Sequence, residues 1–218
     1  MKFGVIFDMD GTLVDNMRYH MEATALFFKK HGVEMTMDEF LQRFNGKTNN
    51  DIFRAIFGQD IAQEKVDAYS DEKEALYRKL YAPHLRFAEG LESIIRQLYA
   101  DGVPMAVGSS ACDQNIDFVL NGLDARKYFK AVVNSSQITK GKPDPEVFLK
   151  AAAAIGMKPE CCVVCEDALA GIAAGRAAGA RVVAVASVMP REELQHADLV
   201  VDSFSELSVS KIVQLLQK

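Results

Sequence analysis

Residues 3–15 read Phe3-Gly4-Val5-Ile6-Phe7-Asp8-Met9-Asp10-Gly11-Thr12-Leu13-Val14-Asp15. A run of strand length leads straight into two carboxylates and a glycine. The run is almost wholly apolar rather than alternating, the pattern of a strand covered on both faces of a parallel sheet. The same reading applies at 103–107, 131–133, 161–165 and 182–186, with 199–201 as a candidate sixth strand. Helical patterns lie between and after these runs, near 89–100, 111–121, 145–155, 168–178, 190–196 and 204–216. Strands alternating with helices imply right-handed crossovers, hence an α/β fold with a doubly wound parallel sheet.

One segment breaks the alternation. From residue 16 to 81 the chain shows helical patterns punctuated by Gly32, Gly46 and Gly58, and no strand. Pro83 suits a linker where the chain returns to the sheet. This predicts a core domain of residues 1–15 and 82–218 with an all-helical domain, 16–81, inserted after the first strand. Gly171, Gly175 and Gly179 recur every four residues, which fits close packing of a helix on the sheet better than a membrane contact beside Arg176.

Composition narrows the function. The 218 residues are 49% hydrophobic and 25% charged, ordinary for a globular protein with a sizeable core. Lys+Arg total 25 against 30 Asp+Glu, a net charge of −5. That balance argues against nucleic acid as a partner, because phosphate backbones are bound through basic patches. No apolar run reaches the ~18 residues of a membrane span. Asp8, Asp10 and Asp15 interrupt the N-terminal apolar stretch, so it does not read as a signal peptide. Cys162 and Cys165 have C-x-x-C spacing but lie in an apolar strand with no second ligand pair, so they read as core residues in a reducing compartment. A cytoplasmic enzyme or binding protein remains.

In an open parallel sheet, ligands bind beyond the carboxyl ends of the strands. The first strand runs into Asp8 and Asp10, the second into Ser109 and Ser110, and the fourth into Glu166 and Asp167. The third leads through a loop to Lys142-Pro143-Asp144-Pro145. Singly, each has a bland explanation: a helix cap, a turn, a solvated lysine. Together they place at least four carboxylates at one edge, and such carboxylates repel one another unless a cation sits among them. Hard oxygen donors beside a phosphate site favour Mg²⁺.

These residues resemble a known family. Residues 8–15, Asp-Met-Asp-Gly-Thr-Leu-Val-Asp, are similar to the D-x-D-G-T-[LV]-x-D signature of the haloacid dehalogenase superfamily, and Ser109, Lys142 and Glu166-Asp167 fall in order at its other three motifs. The inserted helical domain, Tyr19-His20 and the Gly-Lys-Pro-Asp-Pro run at 141–145 resemble the β-phosphoglucomutase-like subfamily with its helical cap. The resemblance covers the whole chain and implies a Rossmann-like core. It also implies Mg²⁺-dependent phosphoryl transfer, with Asp8 as nucleophile and an aspartyl-phosphate intermediate. Asp10 would be the general acid/base, Lys142 and the metal would offset phosphate charge, and Ser109 would meet a phosphoryl oxygen. Asp8, the Asp10 carbonyl, Asp167 and Glu166, directly or through water, would hold the metal. Thr12, which would brace the loop, and Ser110 are counted with the substrate-binding residues.

The helical domain must then choose the substrate. Its candidates are His20, Gly46, Lys47, Asn49 and Lys73, with Arg43, Thr48 and Tyr77 beside them. The mutases of this subfamily carry an arginine where Asn49 stands and a lysine where Cys112 stands. Because a mutase grips a second phosphate, those departures favour a phosphatase of small phosphate esters such as sugar phosphates. The alternative is β-phosphoglucomutase. A phosphonatase, using Lys47, and a non-catalytic binding protein rank lower. A small phosphorylated metabolite is the expected partner, and a monomer the expected state.

Overall fold

The computed structural model describes residues 2–44 and 48–217. Six parallel strands form one sheet: β1 (Gly4–Phe7), β2 (Met105–Gly108), β3 (Ala131–Val133), β4 (Cys162–Glu166), β5 (Arg181–Val185) and β6 (Leu199–Val201). Their order is β3-β2-β1-β4-β5-β6. The direction of winding reverses between β1 and β4, which makes the carboxyl ends of those two strands the switch point where ligands bind in such sheets.

The strand runs are apolar because both sheet faces are covered. Ile6, Ala106, Cys162, Val164, Val182 and Ala184 pack in one core with Val147, Phe148, Ile155 and Ile172. The last four lie on α7 (Glu146–Ile155) and α8 (Leu169–Ala177). Val5, Phe7, Val107, Val163, Cys165 and Val183, which alternate with the first set, are equally buried. Two further helices of this unit are α5 (Leu91–Ala100) and α6 (Asp113–Gly122). Cys162 and Cys165 stand three apart in a strand, on opposite faces. All four cysteines are free thiols, and burial raises those of Cys162 and Cys165 above their ordinary range.

The end of the chain departs from the sequence pattern. The helix expected at 190–196 is a short 3-10 turn, Arg191–Leu194, entered through Pro190. The one expected at 204–216 is a 3-10 turn, Phe204–Glu206, followed by α9 (Val209–Leu215), which Ser208 caps by accepting from Lys211 N.

The chain divides into two compact units, residues 1–15 with 85–218, and residues 16–84. Residues 82–84, assigned to the core domain from sequence, form a 3-10 turn that belongs with the helical unit. That unit comprises α1 (Met17–Lys30), α2 (Met37–Phe44), α3 (Asn49–Phe57) and α4 (Gln63–Tyr81). Its core is aromatic: Phe27 meets Phe53, Phe57 and Tyr69 with ring centroids 5.1–6.3 Å apart. Ile52 and Val66 fill the spaces between them. No helix among the described residues is long and apolar enough to cross a membrane.

Candidate active site

Asp8 is the first residue past β1, and its N–H donates to Cys165 O at 3.0 Å, which ties it to the neighbouring β4. The chain then turns within four residues: Thr12 N and Val14 N donate to Met9 O, and Gly11 N donates to Val14 O. Gly11 sits at φ +79°, and a Cβ there would collide with the Asp167 carboxylate. Glycine is thus required twice, for its backbone angle and for the close approach of the two loops. Ser187 Oγ donates to Gly11 O at 2.6 Å and fixes the outer side of the turn.

Strand β4 ends on Glu166, one residue later than the apolar pattern, and the residue is 1% exposed. Glu166 Oε2 accepts from Asp167 N and Ala168 N, both at 2.8 Å, and thereby caps the approach to α8. Asp167 is held by Thr12, whose Oγ1 donates to Asp167 Oδ1 at 3.2 Å. Thr12 is fully buried, and its hydrogen bond to Asp167 ties the two loops together. Gly171, one turn into α8, leaves room for the Glu166 carboxylate, which a Cβ there would strike.

Lys142 arrives from the loop before α7, where its peptide bond to Pro143 is cis. Its Nζ donates to Asp8 Oδ1 at 2.6 Å and to Glu166 Oε1 at 2.7 Å, and lies 4.8 Å from the centre of the Phe148 ring. One cation thus bridges carboxylates from the two strands at the switch point.

The charges do not balance. Asp8, Glu166 and Asp167 each place a carboxylate oxygen within 4.8 Å of the others, and all three are buried. Burial pushes Asp8 up to about 7, with Glu166 and Asp10 adding to the effect, although Lys142 works against it. Burial and the neighbouring Glu166 and Asp8 likewise hold Asp167 well above the usual carboxylate range. Lys142 is raised because its two carboxylates outweigh its own desolvation. The lysine stays charged, and one positive charge does not offset three carboxylates. Hard oxygen donors with surplus negative charge are what Mg²⁺ requires, so these residues fit that ion. Among the described residues, Glu166 engages both oxygens with protein donors, whereas Asp8 and Asp167 each engage one.

Asp10 is half-buried in the same turn, bridged to Val14. Ser109 ends β2's path, 1% exposed; its N–H donates to Val133 O, and its Oγ accepts from Ala111 N at 3.1 Å. Ser110 is exposed beside it. Cys112 is the N-cap of α6.

The helical unit has its own polar cluster. His20 of α1 stacks on Tyr77 of α4, with ring centroids 3.7 Å apart and 11° between planes. Asn16 Nδ2 donates to the Tyr77 hydroxyl at 2.6 Å. Glu74 pairs with Lys73 at 2.5 Å, lies 3.8 Å from His20, and accepts from Asn49 Nδ2 at 2.9 Å. Burial alone would raise the Glu74 carboxyl, but Lys73, His20 and Asn49 hold it down to about 2. The structure therefore brings together His20, Asn49 and Lys73. Sequence reading missed Glu74, whose only signal is its i,i+3 spacing to Tyr77 on one helix face. Thr48 caps α3 through Asp51 N, and Arg43 is exposed. Gly46 and Lys47 lie outside the described residues.

Residues 5–185 match the profile of the haloacid dehalogenase-like hydrolases. The chain is 30% identical over 214 residues to hexitol phosphatase A of Escherichia coli, covering 95% of this chain and 94% of that one. It is also 30% identical over 209 residues to a bifunctional riboflavin kinase/FMN phosphatase of Arabidopsis thaliana, of which it spans just over half, 55%. The solved β-phosphoglucomutase of Clostridium difficile superposes with a TM-score of 0.86 at 27% identity, covering 100% of this chain and 98% of that one. Sheet order, strand-end carboxylates and these likenesses agree: the chain belongs to the haloacid dehalogenase-like hydrolases, in their β-phosphoglucomutase-like branch.

Proposed function

We propose that the chain is a Mg²⁺-dependent phosphatase of small phosphate esters, sugar phosphates foremost, acting through an aspartyl-phosphate on Asp8. The observation that carries this reading is the Lys142 ammonium held at 2.6 and 2.7 Å between Asp8 and Glu166, with Asp167 beside them. Asp8 attacks phosphorus, and the bond from phosphorus to the leaving oxygen breaks as Asp10 gives that oxygen a proton. Water then attacks the phosphoryl group, Asp10 takes its proton, and Asp8 and inorganic phosphate are released. Lys142 offsets charge on the phosphoryl oxygens from a fixed position, and Ser109 meets one of them. Asp8, Asp167 and the Asp10 carbonyl, with Glu166 in support, would hold Mg²⁺, which would supply the remaining positive charge.

Hydrolysis is preferred to mutase chemistry because of the helical unit. Asn49 stands where a mutase would place a cation, and Lys73 is already paired with Glu74. A second phosphate, which a mutase must grip, finds neither. Four free thiols are consistent with a cytoplasmic setting, and we assign the enzyme to it as a monomer.

Phosphate release from a panel of sugar phosphates with Mg²⁺ tests the reading. A parallel arm offers β-glucose 1-phosphate with glucose 1,6-bisphosphate. Release from the panel is the expected outcome. Conversion to glucose 6-phosphate with little phosphate released would assign the mutase instead.

A further inference from the structure

Lys142 must reach carboxylates on two different strands, yet it sits in a connection that no sheet ladder restrains. Residues 134–145 link β3 to α7 with only the 3-10 turn Ser135–Gln137 between them. The restraint comes from the first turn of α7. Glu146 Oε2 accepts from Thr139 N at 2.9 Å, from Thr139 Oγ1 at 2.9 Å and from Lys140 N at 2.8 Å. One turn later, Lys150 pairs with Glu146 Oε1 at 2.6 Å and donates to Gln137 O at 2.6 Å. Asp144 Oδ1 accepts from Glu146 N at 3.0 Å and closes the return of the loop onto the helix. Two side chains on one helix face thus hold the backbone of residues 137–140, whose last member is two residues from Lys142. Phe148, on the same helix, lies beneath the ammonium.

We propose that Glu146 is a positioning residue for Lys142: clamped by Lys150, it fixes the 137–140 backbone so that the ammonium arrives between Asp8 and Glu166. This rests on the reading of Lys142 as the group that offsets phosphoryl charge. The braced backbone is exposed, so water replaces the lost hydrogen bonds at small cost in stability. Placement is another matter, since a misplacement of about 1 Å far from the chemistry costs up to ~10²-fold in rate. Lys150 and the two N–H groups hold the Glu146 carboxyl down to about 2, so the brace persists across any practical assay pH.

The test compares Glu146→Ala, Glu146→Gln and Lys142→Met with the wild-type chain, using p-nitrophenyl phosphate and Mg²⁺, with Tm measured for each. For Glu146→Ala the expected result is a kcat lowered about 10- to 100-fold, KM within about 2-fold and Tm almost unmoved. Glu146→Gln keeps an acceptor oxygen for Thr139 and Lys140 and recovers a large part of the loss. A purely structural role would lower Tm and leave kcat alone. If Lys142→Met is inactive while Glu146→Ala keeps wild-type kcat, or loses rate only through KM, the brace is refuted and the role of Lys142 stands. If Lys142→Met itself keeps wild-type kcat, the underlying reading fails.

Discussion

Each unit of this chain sets a largely buried lysine against at least one carboxylate, and the two arrangements differ in how many charges each lysine must answer. Lys142 in the core meets Asp8 and Glu166, with Asp167 close by. Among the described residues, Lys73 in the helical unit pairs with one carboxylate, Glu74, and donates to Asn49 Oδ1 at 3.3 Å, while His20 and the Asn49 amide N–H also face Glu74. Burial is the largest influence on both Asp8 and Glu74, and it pushes both upward. The outcomes are nevertheless opposite: Asp8 rises to about 7 and Glu74 falls to about 2. The count of countercharges decides the sign. The helical cluster is closed, its carboxylate satisfied by its neighbours, while the core cluster is one or more positive charges short. A site that binds a cation and then an anionic ester needs that shortfall.

The largest effects should follow from removing the core's reacting group. Asp8→Asn is expected to lower kcat on the order of 10⁴-fold or more, measured as phosphate release from the best ester of the panel. Retention of near wild-type kcat would remove Asp8 as nucleophile. Lys142→Met should cost about 10²- to 10³-fold, the usual loss on deleting one fixed electrostatic stabiliser of the transition state. Lys73→Met, the equivalent change in the closed cluster, should leave kcat on p-nitrophenyl phosphate within a few-fold. If the two lysines prove interchangeable in their effect, the contrast between the clusters has no functional meaning.

That contrast was half legible in the sequence. Core residues such as Asp8, Ser109 and Asp167 follow strand ends, and parallel strands buried on both faces announce themselves as short apolar runs, so topology alone gathers them at one edge. Glu166 was visible as a carboxylate at that edge, but not its hold on the backbone of Asp167 and Ala168 before α8, because the strand runs one residue past the apolar pattern. Thr12 reads from sequence as a brace for its loop, and only the close approach at Gly11 shows that two loops meet where it holds Asp167. In the helical unit, His20, Asn49 and Glu74 come from three helices whose packing is set by Phe27 and its aromatic neighbours, about which local spacing says nothing. The two terminal helical patterns failed for local reasons: Pro190 opens only a 3-10 turn, and Ser208 starts a new helix with its own cap.

The core's shortfall of positive charge should be measurable without turnover. EDTA should silence the enzyme, and Mg²⁺ at about 100 times its Kd should restore it while stabilising the fold by ~2.7 kcal/mol. Asp167→Asn should blunt that rise in Tm, and an equal rise in this variant would move the metal elsewhere. In EDTA, folded Asp8 holds its proton up to about 7 against an ordinary value of 3.8. The folded state therefore binds more protons between those values, and the metal-free protein gains stability as pH falls from 7 toward 4. Asp8→Asn should remove that gain and melt several degrees above wild type in EDTA at pH 8. A Tm below wild type there would mean that the ionised carboxylate is not the strained partner.

Glu74 supplies the opposite slope and the smallest effect. Its folded value lies near 2 against an ordinary 4.5, so its contribution is complete above 4.5 and is lost as pH falls toward 2. Glu74→Gln keeps the shape but leaves Lys73, 9% exposed, without its carboxylate. An uncompensated, largely buried charge of this kind is destabilising by about 2 kcal/mol. For a chain of this length that lowers Tm by roughly 4–8 °C. The loss should be full at pH 7 and shrink as pH falls below 4.5, because the wild-type carboxyl then begins to lose the same interaction. Lys73→Met/Glu74→Gln should recover much of the stability, since neither charge is then left alone. A double variant as unstable as Glu74→Gln would show that packing around Tyr77 and His20, rather than charge balance, holds this cluster together.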